Sequence, residues 1–319
     1  MKRSVVTIGT FDGVHAGHAA LVRRARELAD AADARVVVMC FDPHPLTVVA
    51  PAKAPARLTT FADRAALLGE AGANEVIRLE PSGPLLAQSP DEFVATIVRD
   101  LAPVAIVEGP DFRFGRGRAG DLSTLRALGR AAGFDVHEVA PVEVALSDHT
   151  LARASSTLAR WLITHGRVRD AALVLGRAYT IPGIVEPGDR RGRTIGCPTA
   201  NVATECLAPA DGVYCGFGTI ADGRRFPAAI SVGTKPTYGD NRRCVEAYLI
   251  GAPVTANLPA IHGLPEYGWE LRLSCDHWIR DQMTFASTAA LVDQINRDLR
   301  VAHSLLSAPA AAAHHEALA

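Results

Sequence analysis

Through about residue 140 this chain alternates short all-apolar runs with amphipathic stretches of helical period. Residues 5–8 and 35–41 read as buried strands, 104–108 as another all-apolar strand, and 75–79 as a strand. Residues 17–32, 64–71, 91–101 and 121–133 read as helices, and 135–141 as extended. Strands buried on both faces and separated by helices predict a parallel sheet covered on both sides. Such sheets bind ligands beyond the carboxyl ends of their strands. The polar turns after Ile8, Phe41 and Val107 all fall on that edge.

The pattern changes near residue 180. Short strands at 179–185, 212–219, 225–232, 244–249 and 269–278, set between Gly and Pro turns, predict a small antiparallel β-barrel closed by a helix at 287–299. The expected division is 1–166, 167–302 and an alanine-rich disordered tail at 303–319. With 33 basic against 34 acidic residues, there is no excess positive charge to mark a nucleic-acid binder. No apolar run approaches transmembrane length, and the six scattered cysteines contain no Cys-x-x-Cys pair. A cytoplasmic protein with reduced thiols is expected, without nucleic-acid or membrane partners.

Two segments carry chemistry. The first is Gly9-Thr10-Phe11-Asp12-Gly13-Val14-His15-Ala16-Gly17-His18, placed between a strand and a helix. A helix N-terminus offers unpaired N–H groups and a positive dipole end, both suited to phosphate. His15 and His18, three apart, share a face of the first turn and can donate to phosphoryl oxygens as charge builds. A zinc site lacks a third ligand at metal spacing. A bare His-x-x-His is more often surface decoration; the strand–turn–helix setting favours function. The second is the loop Gly188-Asp189-Arg190-Arg191-Gly192-Arg193-Thr194-Ile195-Gly196-Cys197-Pro198-Thr199-Ala200-Asn201, which is no Walker loop. Its Gly/Arg part alone reads as an exposed basic hairpin. Thr199 and Asn201, two apart, point the same way in an extended segment, and two neutral oxygens suit Mg²⁺ bridged to ATP.

The first segment resembles the HxGH signature of nucleotidylyltransferases. Phe41-Asp42-Pro43-His44-Pro45, the segment from Glu108 to Gly115 with Asp111, Phe112 and Phe114, and Ser155-Ser156-Thr157-Leu158-Ala159-Arg160 resemble further segments of bacterial FAD synthetases. The second loop is similar to the PTAN loop of riboflavin kinases. The order and spacing match over roughly residues 4–300, so the chain resembles the bifunctional riboflavin kinase/FMN adenylyltransferase family.

The resemblance implies a Rossmann-like adenylyltransferase domain followed by a barrel kinase domain, with riboflavin, FMN and ATP as substrates and Mg²⁺ as cofactor. It implies no tightly bound prosthetic group. His15, His18 and Arg160 would be catalytic. Gly9, Thr10, Phe11, Asp12, Asp111, Ser155, Ser156 and Thr157 would bind ATP with them. Phe41, Asp42, Pro43, His44, Pro45, Phe112 and Phe114 would hold flavin. In the kinase, Gly188, Arg191, Gly192, Thr194, Gly196, Pro198, Thr199 and Asn201 would bind ATP, Thr199 and Asn201 also meeting Mg²⁺.

A kinase acting on an alcohol needs a carboxylate to accept the proton, and Glu246 is the candidate, expected to face the barrel mouth. Arg280 and Asp281 are weaker candidates for the kinase flavin. The sequence departs from the family at Ala154 and Ala159, and in the proline-containing stretch from Pro253 to Pro265, which puts the riboflavin contacts in doubt. The alternatives are an adenylyltransferase with an impaired kinase, another nucleotidylyltransferase, or a flavin- or nucleotide-binding regulator without turnover.

Overall fold

A computed structural model describes residues 3–188, 192, 196–235, 240–252, 254, 255, 258, 259, 261 and 263–307. The chain divides into two compact units. The first comprises Met1–Ala159 and Leu173–Gly176, the second Arg160–Ala172 and Arg177–Ala319.

In the first unit five strands form one parallel sheet in the order β3-β2-β1-β4-β5. They are β1 (Ser4–Gly9), β2 (Arg35–Phe41), β3 (Glu75–Leu79), β4 (Pro103–Glu108) and β5 (Asp135–Glu138). The order reverses between β1 and β4, so the crevice for a ligand opens there. Alternate residues of the sheet enter two separate cores. Val5, Val36, Val38, Cys40, Ala105 and Val107 pack with Val22, Ala25 and Ala29 of α1 (Ala16–Ala31) and Leu68 of α3 (Phe61–Glu70). Val6, Ile8, Val37, Met39 and Ile106 pack with Phe93, Val94 and Ile97 of α5 (Pro90–Leu101) and Leu122 and Leu125 of α6 (Leu122–Ala132). This period-2 partition explains why the strands read as continuous apolar runs: both faces are covered.

The helices are bounded by their sequence. Ser89 and Glu92 form a capping box on α5, and Asp121 accepts from the Thr124 amide at the start of α6. Short helices α2 (Leu46–Val49) and α4 (Gly83–Ala87) and the hairpin of β6 (Glu143–Ala145) and β7 (Leu151–Arg153) add to the expected elements. So do α7 (Ser156–Thr164) and α8 (Val168–Leu175).

The second unit is a closed six-stranded antiparallel barrel. Its ring runs β10 (Gly212–Ile220), β11 (Arg225–Lys235), β12 (Asp240–Leu249), β9 (Ala200–Ala203), β8 (Tyr179–Glu186) and β15 (Glu270–Cys275), and returns to β10. The single strand expected at 269–278 is two. β15 ends at Cys275, and β16 (His277–Arg280) continues along the same edge of β10, with the Asp276 amide donating to Cys215 O between them. Within the altered stretch, β13 (Val254–Thr255) and β14 (Leu258–Pro259) pair; Pro253 lies outside the described residues. The closing helix α9 (Thr288–Ser307) runs beyond the expected end at 299 and through the start of the expected tail. Residues 308–319 lie outside the described residues.

Candidate active sites

β1 ends at Gly9, and the chain reaches α1 through a loop with left-handed backbone at Phe11, Gly13 and Val14. Asp12 holds that loop. Its buried carboxylate accepts from the amides of Leu58 and Thr59 and from the Thr59 hydroxyl, at 3.0–3.2 Å. The Thr59 hydroxyl in turn accepts from the Gly13 amide at 3.0 Å. Asp12 therefore shapes the loop through its carboxylate. Gly13 has little alternative, since a Cβ there would stand 2.8 Å from Leu58 Cδ1 at a φ of 83°.

His15 is the N-cap of α1, its Nδ1 accepting from the Gly17 amide at 3.2 Å. Its ring stacks on His18 with centroids 3.6 Å apart, and Phe11 meets His18 edge-on at 5.0 Å. Burial, and in lesser measure His15, push the His18 pKa well below its ordinary value. His18 Nδ1 is buried without a hydrogen-bond partner among the described residues. The pair thus forms a preorganised face at a helix N-terminus, with one ring nitrogen unspent.

The start of α7 reaches the same loop. Ser156 donates to the Asp12 carbonyl at 2.6 Å, and Ser155 accepts from the Leu158 amide as an N-cap would. Thr157 is exposed. Arg160 follows on the same helix, in the stretch that groups with the second unit.

The segment from Phe41 to Pro45 has a structural core. Asp42 is 1 % exposed and pairs with Arg57 (3.2 Å), Arg78 (2.6 Å) and the buried Arg64. Arg64 also donates to the carbonyls of Thr10 (2.8 Å) and Phe41 (3.0 Å), tying the first loop to the end of β2. The Asp42–Pro43 bond is cis. Pro43, His44 and Pro45 remain half-buried, and His44 Nδ1 accepts from the Leu46 amide.

Phe114 is core, 6 % exposed against Phe93, whereas Phe112 is half-buried and stacks on it at 5.4 Å. Asp111 is well exposed and pairs with Arg153 at 2.5 Å.

On the barrel, strand pairing assembles a second group. Asn201 of β9 stands opposite Glu246 of β12, and Glu246 stands opposite Ser231 of β11. Directly opposed residues share a face. That face is the outer one, because Val245, Ala247 and Leu249 are the buried positions of β12. Glu246 therefore lies on the outer face of the barrel wall and not in its interior. With a period of two, its apolar neighbours take the interior. Ser231 adds a residue the sequence did not single out, and its hydroxyl accepts from Gln282 at 3.1 Å.

Gly188 lies against the Asn201 side chain so closely that a Cβ would collide with it. Gly192 accepts at its carbonyl from the Cys197 amide at 2.8 Å, and Gly196 has a left-handed φ of 76°. Pro198 is buried and Thr199 half-buried. Pro198, Ala200, Ala247, Tyr248, Leu249, Ala252 and Trp269 line a small pocket on the barrel. Arg191 and Thr194 lie outside the described residues. Arg280 is committed elsewhere: its guanidinium bonds Asp298 of α9 through Nε (3.0 Å) and Nη2 (2.7 Å), and Nη1 bonds the Asp281 carbonyl.

Among the described residues no group of three His, Cys, Asp or Glu forms a metal cluster, and no helix is long and apolar enough to cross a membrane.

Residues 1–152 match the family model for FAD synthetase and residues 175–306 that for riboflavin kinase. A nucleotide-transferring α/β unit with paired histidines, joined in one chain to a flavokinase barrel, defines the class. The bifunctional riboflavin kinase/FMN adenylyltransferase of Escherichia coli K12 is 34% identical over 304 residues, covering 92% of this chain and 90% of its own. That of Pseudomonas fluorescens is 35% identical over 310 residues, covering 96% and 94%. A Streptococcus pneumoniae structure, described as a macrolide-efflux protein, superposes with a TM-score of 0.81 at 30% identity over 95% of this chain and 94% of its own. The chain belongs to the bifunctional riboflavin kinase/FMN adenylyltransferase family.

Proposed function

We propose that this chain makes FAD from riboflavin in two ATP-dependent steps, phosphorylation to FMN at the barrel and adenylylation of FMN at the α/β unit. The reading rests on one observation. A stacked His15–His18 pair at a helix N-terminus and an Asn201–Glu246 pair on a barrel occur in the same chain. Two intact residue sets argue against a single-activity enzyme and against a regulator without turnover.

In the first step Glu246 accepts the proton of the riboflavin terminal hydroxyl as that oxygen attacks the γ-phosphorus of ATP, and ADP leaves. Thr199 and Asn201 offer neutral oxygens, and Gly188 permits the backbone to close on Asn201. In the second step an FMN phosphate oxygen attacks the α-phosphorus, and pyrophosphate leaves. The nucleophile is already an anion, so alignment and charge neutralisation carry the reaction. His15 and His18 donate to the phosphoryl oxygens, with Ser155, Ser156, Thr157 and Arg160 opposing them.

The donor set on the barrel fits Mg²⁺ held chiefly through ATP, since it provides neutral oxygens and no carboxylate cage. When bound, that ion neutralises phosphate charge. Flavin contacts are assigned to Phe41, Pro43, His44, Pro45 and Phe112 in the α/β unit, with Asp42 and Phe114 supporting from the core. The six free thiols support a cytoplasmic location.

Incubating the purified chain with riboflavin, ATP and Mg²⁺ and separating the products by chromatography tests the reading. FMN then FAD is the expected sequence; tight flavin binding without conversion would overturn it.

A further inference from the structure

Glu108 ends β4 where the sheet order reverses. β1 and β4 pair as far as Val6 and Ile106. Past that point the Glu108 side chain takes over. Its Oε1 accepts from the Ile8 amide at 2.6 Å and from the Thr7 hydroxyl at 3.5 Å. A carboxyl thus bridges the two strands at the floor of the ligand crevice. It opens the Glu108–Gly115 segment, and the sequence assigned it no role there.

The residue is 3 % exposed, and Oε2 has no hydrogen-bond partner among the described residues. Neither of its recorded partners is a cation. An ionised carboxylate there would be a buried charge without compensation, which proteins avoid by neutralising the group. Burial accordingly pushes its pKa well above the carboxylate range, against smaller opposing effects of Ile8 and Thr7. With Oε1 accepting, the proton belongs on Oε2, which becomes a donor with nothing to donate to. At the next residue, Gly109, a Cβ would meet nothing within 4 Å.

The anion-binding end of the crevice is the α1 N-terminus, which follows β1. The uncharged end of a nucleotide is what remains to lie across β4. We propose that Glu108 is a specificity-determining residue of the adenylyl-transfer site, donating a hydrogen bond from Oε2 to an acceptor nitrogen on the purine ring of ATP. This rests on the adenylyltransferase reading above.

The test is the KM for ATP in FAD formation from FMN, for the unaltered chain, Glu108→Val and Glu108→Gln, with ATP and its 1-deaza, 3-deaza and 7-deaza analogues. Glu108→Val should raise the KM for ATP about tenfold, the worth of one hydrogen bond, and leave that for FMN unchanged. Glu108→Gln should stay within about threefold, because its amide keeps an acceptor for Ile8 and an N–H donor for the ring. One deaza analogue should be about tenfold poorer than ATP with the unaltered chain and with Glu108→Gln, and no poorer with Glu108→Val. An unchanged KM for ATP in Glu108→Val, or the same analogue discrimination in that variant as in the unaltered chain, would overturn the assignment. If Glu108→Val does not fold, the analogues decide on the other two proteins: no discrimination by the unaltered chain, or its loss in Glu108→Gln, rejects the donor. If the unaltered chain makes no FAD from supplied FMN, the functional reading itself has failed and this assignment falls with it.

Discussion

Glu246 and Asn201 stand directly opposite one another on β12 and β9, on the outer face of the barrel. The proposed proton acceptor and the proposed ligand for an ATP-bound cation are thereby held in register by backbone pairing. Glu246→Gln should lower FMN formation from riboflavin by about 10²–10⁴-fold, the usual contribution of general base catalysis. FAD formation from supplied FMN should be unchanged. Initial rates of the two reactions, measured separately, check this; an equal loss in both would refute the division of labour.

The histidine pair gives the converse result. His18→Ala should abolish FAD formation while FMN accumulates, because the transition-state contacts removed lie only in the α/β unit. The buried pair also has a pH signature. Folding depresses the His18 pKa, so below the unfolded value of about 6.5 the unfolded chain binds more protons than the folded one. This contribution to stability is therefore complete above that pH and declines as the pH falls towards the folded pKa. Thermal unfolding of the α/β unit should show a steeper loss between pH 7 and 5 in the unaltered chain than in His18→Asn.

Asp42 and Arg64 supply a prediction about folding. Removing Arg64 takes the buried cation from Asp42, which keeps the more exposed Arg57 and Arg78, so the cost falls at or below the low end of the about 3–5 kcal/mol of a broken buried pair. Arg64→Met should therefore unfold the α/β unit at clearly lower denaturant. It should also impair FAD formation, since Arg64 holds the Thr10 carbonyl in the first loop.

Arg280 and Asp298, 18% and 7% exposed, join β16 to α9. Arg280→Leu should destabilise the barrel by about 3 kcal/mol, read from its denaturation midpoint. If Arg280 acts mainly on flavin instead, stability will hold while the KM for riboflavin rises.

The thiols provide a chemical check. Burial pushes Cys40 to about 11 and Cys215 to about 12, and Cys275 is raised by the same cause. The thiolate is the reactive form. Brief iodoacetamide treatment of the native chain followed by peptide mass analysis should leave these three unmodified.

The parallel sheet was legible because β1, β2 and β4 are largely apolar on both faces and helical stretches separate them. The β6–β7 hairpin was not: Glu143, Ala145, Leu151 and Arg153 are exposed, so no burial pattern marks it. β9 was hidden within a loop read for its ligands, Thr199 and Asn201. The histidine and Asn–Glu pairs were found by residue type and spacing, yet the face of Glu246 depended on which neighbours the barrel interior claimed. The carboxylates were least legible. Asp12, Asp42 and Glu108 acquire their roles from Thr59, Arg64 and Ile8, partners 22 to 100 residues away. No local pattern records such distances.

The stretch Leu173–Gly176 groups with the first unit, although residues 160–172 before it group with the second. The polypeptide therefore passes from one body to the other three times, not once. A single scission after residue 159 deprives the upstream piece of four residues; one after 176 deprives the downstream piece of thirteen. A cut at either boundary thus parts some residues from the unit with which they group.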